Sequence, residues 1–386
     1  MYFLFAQRHS NLLNNTNGMI RRFLLLFIIV CSFSYASFSQ FRKYSNEFLY
    51  IGAGARAMSM GNAQIASVED ATSGYWNPAN LINVKVDPTI SIMHADYFAG
   101  IAKYDYASLA IPVQDKKRVL GFSLLRFAVD DIPNTLFLVE PDGSLNYDNI
   151  QTFSSSDYAF LFSYAQQLKK INDNSISFGS NAKIIYRKVG SFATSWGFGI
   201  DAAISMKGKK WNASVVAKDI TTTFNAWSFN FSEREKEVLY LTRNDIPVRS
   251  VELTAPRLVL GGSYIFKLNK SVDVLSEANV DLTFDGKRNT ILRSKLFSAD
   301  PHLGVEFGIK KVFFIRTGIA NFQQVLSDAD TINQKKIWIY QPSIGAGFKL
   351  KNVTIDYAFT NLANQESPLY TNVFSLRLNL VKKKNN

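Results

Sequence analysis

The chain has 386 residues, 14% of them aromatic, with a formal net charge of +12 and a mean hydropathy of −0.03. A helical membrane protein would show several apolar runs of about 20 residues; only Phe23 to Phe33 approaches one, so that class is excluded, as is a disordered chain. The single cysteine, Cys31, lies inside that run, which leaves no disulfide, thiolate nucleophile or thiolate metal site to a processed chain.

At the start, Arg21 and Arg22 precede the apolar run, and the small-residue stretches Ser34-Tyr35-Ala36 and Ser37-Phe38-Ser39 follow it. This is the order of a secretory signal. Cleavage is expected after Ala36 or Ser39, the latter assigning 1–39 to the signal and leaving Gln40 first. Met19 would serve equally as a start, because Met1 to Gly18 adds nothing a signal needs. Val30 before Cys31 does not suit a lipoprotein site, so an integral protein is expected rather than a lipid-anchored one. Loss of 1–39 removes three arginines and no acids, taking the charge from +12 to +9.

Residues 40–87 read as a close-packed internal hatch. They contain Gly52-Ala53-Gly54-Ala55-Arg56-Ala57-Met58-Ser59-Met60-Gly61-Asn62-Ala63, then Glu69-Asp70-Ala71-Thr72, then Tyr75-Trp76-Asn77-Pro78-Ala79-Asn80-Leu81. Glycine and alanine let backbone run close to a surrounding wall, Asn77-Pro78 sets a turn, and Trp76 offers one large face whose indole N–H needs an acceptor. Arg56 and Asp70 are natural partners for charges on that wall. Gly52 to Ala57 formally matches a G-x-G-x-x-A dinucleotide fingerprint, but no βαβ alternation follows and the chain is exported, so no nucleotide site is expected.

From 88 to 386 the chain alternates with period two. In Ser175 to Arg187, Ile176, Phe178, Ala182, Ile184 and Tyr186 share one face, with Ser177, Gly179, Asn181, Lys183 and Arg187 on the other. Ser271 to Phe284, Val353 to Thr360 and Phe374 to Leu380 repeat the pattern. Fourteen such runs begin near Thr89, Lys103, Val119, Asp157, Ser175, Trp196, Trp211, Arg257, Ser271, His302, Val312, Gln341, Val353 and Tyr370. Every second gap between them is short and lysine-rich, as at Gln114 to Arg118, Lys207 to Lys210 and Lys310-Lys311. Most of the others are long: Asp130 to Ser156, Thr221 to Ala255, Asp285 to Pro301 and Asn321 to Ile339. Short periplasmic turns and long outward loops are the wiring of an outer-membrane barrel, and an even strand number returns both ends to the periplasm. The expected fold is therefore all-β, a 14-stranded antiparallel transmembrane barrel with an N-terminal hatch in its lumen.

The polar faces carry too many acids and bases for a dry sandwich core. Lys183, Arg187, Arg316 and Arg377 stand against Asp201, Asp273, Glu277, Asp281, Glu306 and Asp356. Mixed charge is expected to pair and hold the hatch; a single-sign lining would have favoured an ion channel. The turn lysines suit anionic lipid headgroups or an acidic periplasmic partner, and their placement does not suit nucleic acid. In the outward loop from Thr221 to Ala255, Phe224, Trp227, Phe229 and Phe231 offer more aromatic surface than a solvated loop needs, for loop self-packing or for a partner.

At the hatch residues the chain resembles the PorV/PorQ family of Bacteroidetes outer-membrane proteins, itself similar to the FadL-type fourteen-stranded transporters. The family pattern, roughly G-A-R-A-x-x-M-G-x-A, D-D-A and Y-W-N-P-A-x-L, is met at Gly54 to Ala57, Met60-Gly61, Ala63, Asp70-Ala71, Tyr75 to Ala79 and Leu81. Glu69, Asn62 and Asn80 depart from it. The stretches Pro256 to Tyr264 and Val353 to Phe359 resemble it too, so the likeness covers roughly Asn46 to the C-terminus.

The resemblance implies a non-enzymatic component of the type IX secretion system, bound to outer-membrane lipid and to the large translocon barrel or to secreted proteins with C-terminal sorting domains. The alternative is a FadL-like uptake channel for hydrophobic small molecules, which needs an apolar path and a movable hatch. No cofactor or metal is expected. A barrel enzyme would need a histidine base with an orienting partner; His94 falls on the face of Ile90 and Ile92, His302 adjoins an outward loop, and no spacing marks a catalytic set.

Overall fold

The computed structural model describes residues 45–84, 88–113, 117–140, 142–247, 249–326, 336–362 and 369–380. The expected signal over 1–39, with Lys116 and Lys382 to Lys384, lies outside the described residues.

Alternation becomes a closed sheet. The first six strands are β1 (Thr89–Tyr97), β2 (Ala102–Val113), β3 (Arg118–Asn134), β4 (Gln151–Ile171), β5 (Asn174–Val189) and β6 (Ala193–Lys207). Next come β7 (Trp211–Lys218), β8 (Thr223–Phe229), β9 (Arg249–Thr254), β10 (Arg257–Lys267) and β11 (Val272–Thr283). The chain ends with β12 (Leu292–Arg293), β13 (Ser298–Ile309), β14 (Phe313–Leu326), β15 (Lys336–Leu350), β16 (Val353–Thr360) and β17 (Thr371–Asn379). All strand pairings among the described residues are antiparallel, and β1 pairs with both β2 and β17, which removes the sheet's edges.

Among the described residues, seventeen strand segments make 14 staves. β6 pairs with β7 along one half and with β8 along the other; β7 in turn pairs with β10, and β8 with β9. β7 with β8 is thus one interrupted stave, β9 with β10 another, and β12 is a two-residue clip on β13. Asp219 (φ 57°) and Thr222 (φ 59°) break the first. Ala255-Pro256 breaks the second, where proline lacks the N–H a ladder requires.

The faces are inverted relative to a soluble protein. Outward side chains such as Phe198, Ile204, Val215, Ile315, Ile344 and Phe374 are exposed, whereas Lys183, Asp201, Glu277 and Arg316 on the inner face are buried. Exposed aromatics border the apolar wall at both ends: Trp196, Tyr370 and Phe374 towards the loops, Trp211, Phe266 and Phe313 towards the lysine turns. Such girdles mark the two interfaces of a membrane-spanning barrel.

The long outward gaps shrink because strands outrun the apolar pattern. A spanning strand needs about 9–11 residues, yet β4 has 21 and β3 has 17. Their ladder continues from Ile132↔Phe153 to Asn134↔Gln151, leaving a loop of only 135–150. Beyond the lipid, hydrogen bonding persists where hydrophobic selection has ceased.

Inside the barrel, residues 45–84 run as short turns joined by bends. They comprise a 3₁₀ turn at Glu47–Tyr50, helix α1 (Ala55–Ser59), helix α2 (Ser73–Trp76) and a second 3₁₀ turn at Pro78–Asn83. Ala53, Ala55, Ala57, Ala63 and Ala79 are fully buried, and inward wall glycines face them. A Cβ on Gly318 would collide with the Met60–Gly61 backbone, and one on Gly179 with Pro78–Ala79. Only a bare wall admits backbone at this range.

Candidate functional site

Chemistry gathers in two places inside the barrel: the seam between hatch and wall, and a cup above the hatch at the loop end. In the seam, Arg56 of α1 donates through Nε to Glu306 on β13 (2.8 Å). Glu306 also accepts from Arg316 on β14 (2.6 Å), whose Nη1 reaches Asp356 on β16 (2.7 Å). The four charges alternate in sign, as buried ions must if they are not to be stranded. Asp70 accepts from Arg377 on β17 (2.5 Å) and from the Thr72 amide (2.8 Å). Burial would push the Asp70 carboxyl up; the Arg377 guanidinium and the Thr72 donors overcome this and hold it below its ordinary value. Glu277 on β11 accepts the Ala66 and Ser67 amides at 2.7 and 3.1 Å, capping two hatch donors with one carboxylate.

The strongest knot lies at the broken stave. Asp219 accepts from Tyr50 of the hatch, Lys183 of β5 and Thr223 of β8, while Lys183 also reaches Asp201 of β6 at 2.7 Å. The Asp219 amide donates to Asp201 (2.9 Å), so the inward fold of the wall is itself hydrogen-bonded.

The remaining hatch residues fix its own shape. Trp76 Nε1 finds its acceptor in the Ala53 carbonyl (2.7 Å). Asn77 Nδ2 donates to Ser205 of the wall and to the Ile65 carbonyl, both at 2.8 Å, while its Oδ1 accepts the Ala79 amide as Pro78 opens the second 3₁₀ turn. Gly54 (φ 93°) and Gly61 (φ 60°) occupy left-handed backbone, and a Cβ on Gly61 would lie 2.8 Å from the Ile319 nitrogen.

Some expected lumen charges do not touch the hatch ionically. Arg187 pairs with Asp157 (2.9 Å) and Glu252 (3.5 Å) on the wall. Asp281 pairs with Arg257 at 3.3 Å, and Asp273 stands nearer the lysine turns. Sequence reading missed Asp219, Tyr50, Arg257 and Glu252. Glu252 was hidden because Thr221 to Ala255 reads as one outward loop, which the structure corrects. Residues 223–229 and 249–254 are wall, so Phe224, Trp227 and Phe229 belong to a stave, with Phe231 just beyond it. Phe224 faces outward at 43% exposure, whereas Trp227 turns inward over Arg187, 5.1 Å from ring centroid to guanidinium carbon. The intervening stretch carries helix α3 (Glu233–Leu241), closed by a Ser232–Glu235 capping box.

The cup is a cavity of about 590 Å³ bounded below by Tyr50, Met58 and Asn62 and around its wall by Arg257, Asp281, Thr283, Asp300 and His302. His302 Nδ1 donates to the Gly61 carbonyl (2.8 Å), and its Nε2 stands 3.9 Å from Asp281. His94, on the outer face, bonds Asp105 at 2.7 Å. Both rings are held by structural partners.

No family model matches the chain, and no curated protein matches it in sequence. In fold it is similar to the Ralstonia pickettii toluene transporter TbuX, with a TM-score of 0.51 at 11% identity over 85% of this chain and 98% of that one. The Pseudomonas putida toluene transporter TodX is similar too, with a TM-score of 0.51 at 10% identity over 85% and 98% of the two chains. The fold so defined is a closed 14-strand antiparallel barrel, similar to those of these two transporters. At these identities the likeness speaks for the fold alone.

Proposed function

We propose that this chain is a non-enzymatic outer-membrane barrel that works by docking, as a PorV-like component of the type IX secretion system. Its lysine turns lie in the periplasm and its loops outside. The observation that carries this reading is the ion-paired and hydrogen-bonded seam: the hatch is locked to the break between β7 and β8 and to β11, β13 and β17 by Asp219, Glu277, Glu306 and Arg377, which suits a closed scaffold better than a greasy path. The hatch motif supports it as well, and so do apolar side chains held high in the loops, with Tyr240 at 78%, Leu241 at 71% and Leu296 at 80% exposure.

A second reading, uptake of hydrophobic small molecules, is favoured by the fold shared with two toluene transporters. One experiment separates the two. The tagged protein is purified in mild detergent, and its co-purifying proteins and lipids are identified by mass spectrometry. Recovery of a giant outer-membrane translocon or of sorting-domain proteins supports docking. Recovery of the barrel alone with bound hydrophobic molecules transfers the case to uptake.

A further inference from the structure

The cup breaks the rule obeyed by the seam, where buried charge meets its opposite. Asp281 on β11 and Asp300 on β13 are directly opposite in register, both on the inner face. Like charges so placed destabilise a sheet, and a local violation of this kind marks function more often than fold. The nearby guanidiniums do not resolve it. Arg257 is engaged by Asp281 (3.3 Å) and Glu47 (3.8 Å), with its flat face 3.6 Å from the Tyr50 ring centroid. Arg288 is engaged by Asp285 (2.7 Å) and Glu47 (3.1 Å). Three carboxylates, Glu47, Asp281 and Asp285, thus share two guanidiniums, and Asp300 adds a fourth with no ion pair among the described residues, in a chain whose overall charge is +12.

Unmet hydrogen-bonding capacity points the same way. Among the described residues, Asp300 Oδ1 is buried without a partner, and so is the hydroxyl of Thr283, which lines the cavity at 7% exposure. A buried acceptor without a donor is costly, and more so when it is charged. The low-dielectric walls of a concave mouth focus its field on an incoming cation.

We propose that the cup binds an ammonium group, carried either by a small free polyamine or by a lysine side chain. A primary ammonium supplies three donors and one positive charge, matching the Asp281 and Asp300 carboxylates and the Thr283 hydroxyl beside them on β11. The volume of about 590 Å³ falls among small-ligand sites. This assignment stands independently of the type IX reading.

The test is calorimetric titration of the detergent-purified full chain with spermidine, N-acetyl-lysine methylamide and citrate. Saturable binding of either amine, weakened about tenfold or more by Asp300→Asn and unchanged by Asp142→Asn on an outer loop, supports the site. Spermidine alone assigns a free amine, and the lysine amide alone assigns a side chain. Thr283→Val, which keeps the shape, weakens binding less and stands in should Asp300→Asn fail to fold. Saturable citrate binding instead, no binding of either amine at millimolar concentration, or wild-type affinity in both cup variants would overturn the proposal.

Discussion

The seam and the cup lie on the same inner face, yet they obey opposite rules. Along the seam, Arg56, Glu306, Arg316 and Asp356 alternate in sign, and Glu277 spends both oxygens on hatch amides. In the cup two carboxylates face one another across adjacent staves, and the buried Thr283 hydroxyl beside them has no partner among the described residues. The same barrel that pairs opposite charges where it grips its hatch sets like charges side by side where it opens to the loops. The seam is therefore built for closure and the cup for an incoming group. Substitutions in the two regions should move stability in opposite directions.

The largest effect is expected at the Asp219 knot. Lys183→Met keeps the volume but leaves Asp201 and Asp219 buried beside each other without their shared cation. Removing one partner of a buried ion pair costs about 3–5 kcal/mol. The urea midpoint of the barrel in detergent should fall accordingly, and an unchanged midpoint would mean the knot is ornamental. A smaller loss is expected from Gly318→Val, whose side chain would enter the Met60–Gly61 backbone of the hatch. Overpacking of this kind costs about 1–3 kcal/mol. Because the hatch rather than the wall must yield, planar-bilayer recordings should show new conductance in this variant; silence equal to wild type would place closure elsewhere.

Much of this contrast was legible in the sequence. Period two exposed the faces of Ser175 to Arg187 and Val353 to Thr360, since hydrocarbon on one side and charge on the other leave no freedom of choice. The fourteen run starts anticipated the staves for the same reason, even where β7 with β8 and β9 with β10 are interrupted. Strand ends were less legible: above the lipid the ladder of β3 with β4 persists without an apolar stripe. The hatch was visible as small residues around Arg56 and Asp70, but its partners were not, because Asp219 becomes inward only through a backbone break that no alternation announces. One usable signal was passed over. Gly121, Gly179, Gly261, Gly304, Gly318 and Gly345 stand on the inner face, where a Cβ would meet hatch or neighbouring wall atoms. Glycine weakens a strand unless backbone must approach it, so their recurrence marks the track of the plug.

The smallest expected effect has the opposite sign and separates the two regions most sharply. Asp300→Asn removes one of two carboxylates that stand directly opposite each other, while keeping the shape and supplying an amide that can donate to Asp281. Cross-strand like charges cost roughly 0.2–1 kcal/mol, so the variant should unfold at slightly higher urea than wild type. Asp70, held by Arg377, offers the internal control, because its neutral variant loses a matched partner and must destabilise. A cup selected for stability would lose on neutralisation as the seam does. A cup selected for a ligand gains stability in the absence of amine and forfeits that gain when spermidine, which binds only the charged form well, is added to both proteins.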